Sequence, residues 1–205
     1  LEALQRAVVW SMAYEALGLG CGSGPLTGRY LPPITAFLHF LRPGTTKMPL
    51  FPGLPLLGGN RRTWFDVALY VAHYAFLIRV LTAPEITPEL LIPTAILLPL
   101  LALSDKTIAL ASRYEHYYIA LLCLLVPGDA LAGAKTVWLV IWLGAATSKL
   151  NRHFPSVVCV MVSNSPFFAF KGLREKMYRD YPNDLRPARK AHLMAHAGTV
   201  TEYIF

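Results

Sequence analysis

The sequence predicts an all-α integral membrane protein, a polytopic helical bundle of at least four transmembrane helices plus interfacial segments. Three observations predict this class: 55% of the 205 residues are hydrophobic, only 15% are charged, and the mean hydropathy is +0.44. Soluble domains carry about 25% charged residues, and disordered chains lack apolar and aromatic residues on this scale. The three cysteines form no C-x-x-C pair, which argues against a disulfide or metal framework.

The N-terminal part is predicted to be a helix followed by a long connector. Residues 1–19 have apolar side chains at helical spacing and read as the end of an N-terminal helix, which Gly18 and Gly20 would stop. The connector is predicted at residues 20–63 and is rich in helix breakers. Nine glycines and seven prolines lie between positions 18 and 60. Because many large apolar side chains lie among them, we expect an ordered interfacial loop with a short helix near 34–41.

Four apolar segments form the predicted transmembrane core, residues 64–150. They lie at 64–81, 90–103, 108–126 and 130–150. The second follows Thr87-Pro88, a typical helix start. With about 14 residues it is short for a span, and Pro93 and Pro99 are expected to kink it. Because the gaps between segments are short, neighbouring helices are predicted to be antiparallel.

Much of the net charge of +7 lies in the sequence that follows the fourth span. Residues 171–190 hold seven basic and three acidic side chains, which is +4 of the total. We therefore predict a cytoplasmic basic and re-entrant segment at 151–190 that contacts anionic lipid headgroups of the bilayer, with no nucleic-acid partner. The basic loops 42–62 and 152–190 are both predicted to be cytoplasmic, in a multi-pass protein of the cell inner membrane. Residues 191–205 begin a further helix, and we expect the natural protein to extend past both ends.

Polar side chains within the first and third spans mark a candidate interior site. A charge at mid-membrane costs roughly 3 kcal/mol on insertion scales, so such side chains should face the bundle interior. The candidate residues in these spans are His73, Arg113, Glu115, His116 and Tyr117. They predict either a proton-handling or ligand-binding cavity or a buried polar network that fixes the helix register. His73 is alternatively a satisfied core histidine, and axial ligation of a tetrapyrrole by His73 or His116 is a further alternative.

Two features of the C-terminal half have competing interpretations. Lys149 lies at the predicted cytoplasmic end of the fourth span, where it either serves a site or extends to the lipid headgroups. His192 and His196 have the i, i+4 spacing of metal ligands on a helix. The chain has only six histidines, far fewer than a membrane di-iron oxygenase needs, so we expect no metal site.

Four stretches resemble an uncharacterised bacterial transmembrane family that is known only as a domain of unknown function. They are GCGSGPL at 20–26, LRPGTTK at 41–47, SKLNRHFP at 148–155 and MYRDYP at 177–182. The resemblance covers essentially the whole chain and brings no known activity. Members of that family are much longer than this chain, in agreement with the expectation that the natural protein extends further.

Two other stretches resemble the membrane domain of vitamin-K-dependent gamma-carboxylase-like proteins. DKT at 105–107, followed by EHYY at 115–118, is similar to the K-T … N-H-x-Y stretch of that family, and AATSKLN at 145–151 is similar to its A-G-x-K-K-L-D stretch. The positions that depart from the family pattern are Glu115, Ser148 and Phe154.

The carboxylase resemblance implies roles for three residues. In that family the histidine lies in the active site and the second lysine acts as a base on the reduced quinone, positions that correspond to His116 and Lys149 here. Asn151 would lie in the same ligand site. A desolvated lysine can take up a proton, which makes this chemistry reasonable.

Two functional classes therefore compete. The first is a quinone- or lipid-binding membrane protein or enzyme resembling the carboxylase membrane domain, with Lys149 as base and His116 orienting the ligand. The second is a non-catalytic accessory subunit of a larger, energy-converting membrane complex, which would contact lipid, pigment or other membrane subunits. Transport is disfavoured because no pair of broken, inverted repeats is visible.

Overall fold

A computed structural model of the protein describes residues 2–17, 35–125, 128–164 and 170–204. These residues form two compact units, the first reaching Val137 and the second beginning at Trp138. Both units are mainly helical, as the sequence predicts. The position that divides them lies within one long helix, α7.

The first unit is a bundle built around the first predicted span. Its helices are α1 (Glu2–Ala16), α2 (Thr35–Phe40), α3 (Trp64–Thr82), α4 (Pro88–Ser104), α5 (Lys106–Ala111) and α6 (Tyr114–Leu125), with the first turns of α7 (Ala130–Ser148). Helix α3 packs against α1 and α4, and α6 packs against α4 and α1. The core side chains at the middle of these helices include Met12, Leu77, Leu98 and Leu121, all fully or almost fully buried.

Both ends of α3 are fixed by polar contacts. At the start, Thr63 and Asp66 form a capping box in which each side chain accepts a hydrogen bond from the backbone N–H of the other residue. At the end, the Arg6 guanidinium of α1 donates hydrogen bonds of 2.9 Å to the carbonyl oxygens of Leu81, Ala83 and Pro84. This cation satisfies carbonyl groups that a helix C-terminus leaves without partners.

The third predicted span is interrupted rather than continuous. We predict one helix over 108–126, whereas the structure ends α5 at Ala111 and begins α6 at Tyr114. Between them Arg113 adopts a φ of +48°, a left-handed conformation that no helix continues through. In this position the Arg113 side chain remains half exposed and lies 3.9 Å from Glu15 of α1.

The connector before α3 is ordered where the structure describes it. Helix α2 lies inside the range predicted for a short helix, and a β-bridge between Thr46 and Arg61 closes the loop that follows. Backbone hydrogen bonds of 2.8 Å from Lys106 to Met48 and of 2.9 Å from Leu50 to Leu103 attach this loop to the α4–α5 junction. The predicted helix stop at Gly18 and Gly20 lies outside the described residues.

The second unit combines the end of α7 with three helices and a small hairpin. Its further elements are α8 (Phe154–Asn164), α9 (Lys171–Met177), β1 (Tyr178–Asp180), β2 (Asp184–Pro187) and α10 (Arg189–Ile204). Helix α10 packs against α8 and α9, and Cys159, Met177 and Ala191 lie in the shared core. The antiparallel β1–β2 hairpin corrects the all-α prediction, and the Pro182-Asn183 turn between its strands was the sequence signal for it.

Two described helices are long and apolar enough to cross a membrane: Trp64–Thr82 and Ala130–Ser148. They correspond to the first and fourth predicted spans. Helix Pro88–Ser104 is apolar but shorter, with 17 residues, and α6 has 12. Four crossings therefore remain a prediction, while two candidate spans are present.

Candidate functional site

A polar cleft lies in the second unit where α7 ends. After Ser148 the chain turns through Lys149, Asn151 and Arg152, and the Asn151 side chain accepts a hydrogen bond of 3.1 Å from the backbone N–H of His153. The Thr199 hydroxyl of α10 lies 3.4 Å from the Lys149 carbonyl oxygen. The cleft has a volume of about 470 Å³, and its lining includes Lys149, Asn151, Arg152, Phe154, His192, His196 and Thr199.

Lys149 is held inside this cleft by an ion pair with Glu202 of α10. Both side chains are about one quarter exposed, at 23% and 24%, and the Lys149 ammonium also lies 6.0 Å from the centre of the Phe154 ring. Lys149 therefore folds back onto α10 in the second unit. A role as a base would require the pair with Glu202 to open first.

An apolar groove adjoins the cleft along the last turns of α7. It has a volume of about 800 Å³ and is lined by Val140, Leu143, Gly144, Thr147, Ser148, Leu150 and Asn151. Leu150 and Asn151 line both the groove and the cleft. The groove is wide at Gly144, where an added Cβ would meet no atom within 4 Å.

A second group of predicted residues lies in the first unit, around the interrupted helix. His73 is fully buried, and neither of its ring nitrogens has a hydrogen-bond partner among the described residues. Its ring lies edge-on to Tyr114, the first residue of α6, with 5.5 Å between the ring centres. The prediction of a satisfied core histidine therefore holds for burial but not for hydrogen bonding within the described part of the chain.

The remaining predicted residues lie on or next to α6. His116 and Tyr117 are partly buried, Arg113 is half exposed, and the Glu115 side chain lies outside the described residues. His116 belongs to the first unit and Lys149 to the second. The hypothesis that the two residues serve one catalytic site remains a prediction.

The sequence interpretation missed a buried charge cluster in the first unit. Lys47 donates a hydrogen bond of 2.7 Å to Asp66, and the Arg62 guanidinium pairs with Asp105. All four side chains are at most 1% exposed. Ser104 also donates to Asp66, so the cluster joins the connector to the start of α3 and to the α4–α5 junction.

This cluster changes the interpretation of the basic loop 42–62. Lys47 and Arg62 were predicted as cytoplasmic charges, but both are buried and neutralised by partners in the bundle. Arg42 and Arg61 are exposed. Next to the cluster, partial burial and the Arg62 guanidinium lower the pKa of His39 from its usual 6.5.

No group of three or more His, Cys, Asp or Glu side chains that could hold a metal ion occurs within residues 2–17, 35–125, 128–164 and 170–204. His192 and His196 line the polar cleft instead, beside Lys149 and Arg152. Their neighbours there are basic side chains, which repel a metal cation.

Comparison with known proteins agrees with the membrane character of the fold. A family model described as a transmembrane protein of unknown function (DUF3556) matches residues 2–205. The chain belongs to this family. The DUF3556 protein is thus a membrane protein with two candidate spans, α3 and α7. No curated protein and no solved structure matches the chain.

Proposed function

We propose that this protein binds a membrane amphiphile, a quinone or a lipid, in its second unit. The observation that carries the proposal is the junction, at Leu150 and Asn151, of a groove without charged side chains with a cleft whose lining includes Lys149 and Arg152. An amphiphile has the same division, with an apolar tail that would lie along α7 and a polar head that would lie beside Lys149.

The dimensions and the chemistry of the two spaces support this proposal. The cleft, with about 470 Å³, falls in the range of ligand pockets, about 300–1,000 Å³, and the groove is an open surface beside it. Lys149 and Arg152 can donate hydrogen bonds to oxygen atoms of a head group. Val140, Leu143 and Leu150 are the aliphatic side chains of the groove, and they suit an acyl or isoprenoid tail.

The resemblance to the carboxylase membrane domain would add a reaction to this binding. Lys149 would then abstract a proton from a reduced quinone. Because Glu202 engages the Lys149 ammonium, we propose binding as the primary function. The catalytic version requires a state in which this ion pair is open.

The test is native mass spectrometry of the full chain purified in a mild detergent. We expect a stoichiometric quinone or lipid to remain bound, and we expect Lys149→Ala to lower its occupancy. Lys135→Ala, an exposed lysine near the other end of α7, is the matched control and should retain the ligand. Absence of any retained amphiphile from the folded protein would contradict the proposal.

A second variant tests the groove separately from the cleft. Gly144→Leu places a side chain where the groove has open space, so it should lower occupancy without disturbing the packing of the unit. Leucine also favours the helix more than glycine does, by about 0.8 kcal/mol. A folded Gly144→Leu protein that retains its ligand fully would show that the tail does not lie in this groove.

An accessory role in a membrane complex is the second candidate. One observation favours it: α7 exposes a run of large apolar side chains, Trp138, Leu139, Val140, Trp142 and Leu143, each at least 50% exposed. Such a face packs against either lipid or a partner helix. Stoichiometric partner chains in the same mass spectra, without a retained amphiphile, would favour this role.

A further inference from the structure

We propose that the head group bound in this cleft is a phosphate with net negative charge, as in an anionic glycerophospholipid. This assignment rests on the proposed function and specifies its ligand class. The observations that carry it are a second recess next to the cleft and a surplus of cationic side chains around both.

The second recess shares two histidines of α10 with the cleft. It has a volume of about 560 Å³ and is lined by Arg189, Lys190, His192, Leu193 and His196. His192 and His196 also line the cleft that contains Lys149 and Arg152. The two spaces therefore border on the same pair of imidazoles, and each has basic side chains in its lining.

The positive charges around these spaces are not balanced by the chain itself. Among the described residues, Arg152, Arg189 and Lys190 have no ion-pair partner, and no aspartate or glutamate lines either recess. Glu202, which reaches Lys149, is already engaged by that lysine. All three side chains are exposed, so they can turn toward an anionic head group that lies in the recesses.

A phosphate fits this arrangement better than the carbonyl groups of a quinone. A phosphate presents several strong acceptor oxygens to different sides, and arginine can bind it with two parallel hydrogen bonds. Quinone carbonyls are neutral acceptors, so their contacts with Arg152, Arg189 and Lys190 would be weaker than those of a charged phosphate. Exposed imidazoles of His192 and His196 can donate further hydrogen bonds to phosphate oxygens.

The test compares four probes on the detergent-solubilised full chain by native mass spectrometry. The probes are phosphatidylglycerol, zwitterionic phosphatidylcholine, a short-chain quinone and glycerol phosphate. We expect phosphatidylglycerol to be retained about tenfold more strongly than phosphatidylcholine, the effect of one additional charge-assisted contact. The preference should weaken as the salt concentration rises.

Substitutions locate the preference in the two recesses. Arg152→Ala and Arg189→Ala should each reduce the retention of phosphatidylglycerol about tenfold. Lys171→Ala removes the same charge from a side chain that is 82% exposed and lies outside both recesses, so it should keep the preference. Equal losses in all three variants would mean general attraction to the basic surface and would overturn the site.

The remaining outcomes separate this inference from the proposed function. Retention of the quinone with no preference for phosphatidylglycerol would overturn the phosphate assignment and leave amphiphile binding intact. Glycerol phosphate binding as strongly as phosphatidylglycerol would identify a site for a soluble phosphate and overturn the lipid assignment. Retention of none of the probes by the folded protein would overturn both.

Discussion

The ammonium group of Lys47 lies 2.7 Å from the carboxylate of Asp66, and both side chains are buried. Removing one partner of a buried pair leaves an uncompensated charge, which costs about 3–5 kcal/mol. We therefore expect Asp66→Ala to lower the unfolding temperature strongly in detergent. Thermal unfolding followed by tryptophan fluorescence measures this change.

The matched control removes both charges at once. Lys47→Met combined with Asp66→Leu leaves no unpaired ion, so it should be more stable than either single variant. Ser104 then loses its acceptor, which limits the recovery. If the double variant is less stable than Asp66→Ala alone, the pair does not contribute as the structure indicates.

His73 offers a test that separates a structural role from ligand binding. Because both ring nitrogens lack a partner among the described residues, leucine at this position removes a buried polar cost of about 1–3 kcal/mol. We expect His73→Leu to be as stable as the natural protein or more stable. A clear fall in the unfolding temperature would contradict an unpartnered imidazole and would favour a ligand contact, one of the alternatives that the sequence leaves open.

The turn before α3 has a pair of glycines that differ in their surroundings. An added Cβ at Gly58 would collide with the carbonyl oxygens of Pro52 and Leu54, whereas at Gly53 it would meet nothing within 4 Å. Gly58→Ala should therefore destabilise the protein by roughly 1–3 kcal/mol, and Gly53→Ala should be close to neutral. Unfolding temperatures that are equal for the two variants would contradict the described loop.

His39 predicts a dependence of stability on pH. Its pKa is lowered from 6.5 in the folded protein by partial burial and by Arg62, so the unfolded chain binds a proton more readily than the folded one. Stability should therefore fall between about pH 7.5 and about pH 5.5 as the unfolded chain takes up that proton.

The matched pair of variants isolates this effect. His39→Gln removes the titrating group and should flatten the fall in unfolding temperature toward low pH. His39→Asn, a second neutral replacement at the same position, should flatten it to the same extent. An unaltered slope in His39→Gln would exclude His39 as its source.

Local sequence patterns predict the helices of this protein well because helix formation depends on residues that are neighbours in the chain. The apolar lengths of 64–81 and 130–150 indicate α3 and α7, and Thr87-Pro88 marks the start of α4. The interruption at Arg113 could not be predicted in this way. It places the Arg113 side chain near Glu15 of α1, a contact that no local pattern contains.

In the candidate site, too, local patterns predict some features, and the others depend on contacts between distant parts of the chain. Lys149 and Asn151 were selected from one short stretch, and the structure places both in the polar cleft. The pairing of Lys149 with Glu202 and the position of His192 beside it depend on how α10 packs in the second unit. His192 and His196 were noticed for their spacing, but their basic neighbours became visible only in three dimensions.

The ion pair between Arg62 and Asp105 also sets an order of events during synthesis. Arg62 is made 43 residues before its partner, which corresponds to roughly 2–9 s of translation. During that interval the guanidinium has no carboxylate to receive it, so the connector can reach its final position only after α4 has been made. A nascent chain halted before Asp105 would keep this charge in water or expose it to quality control.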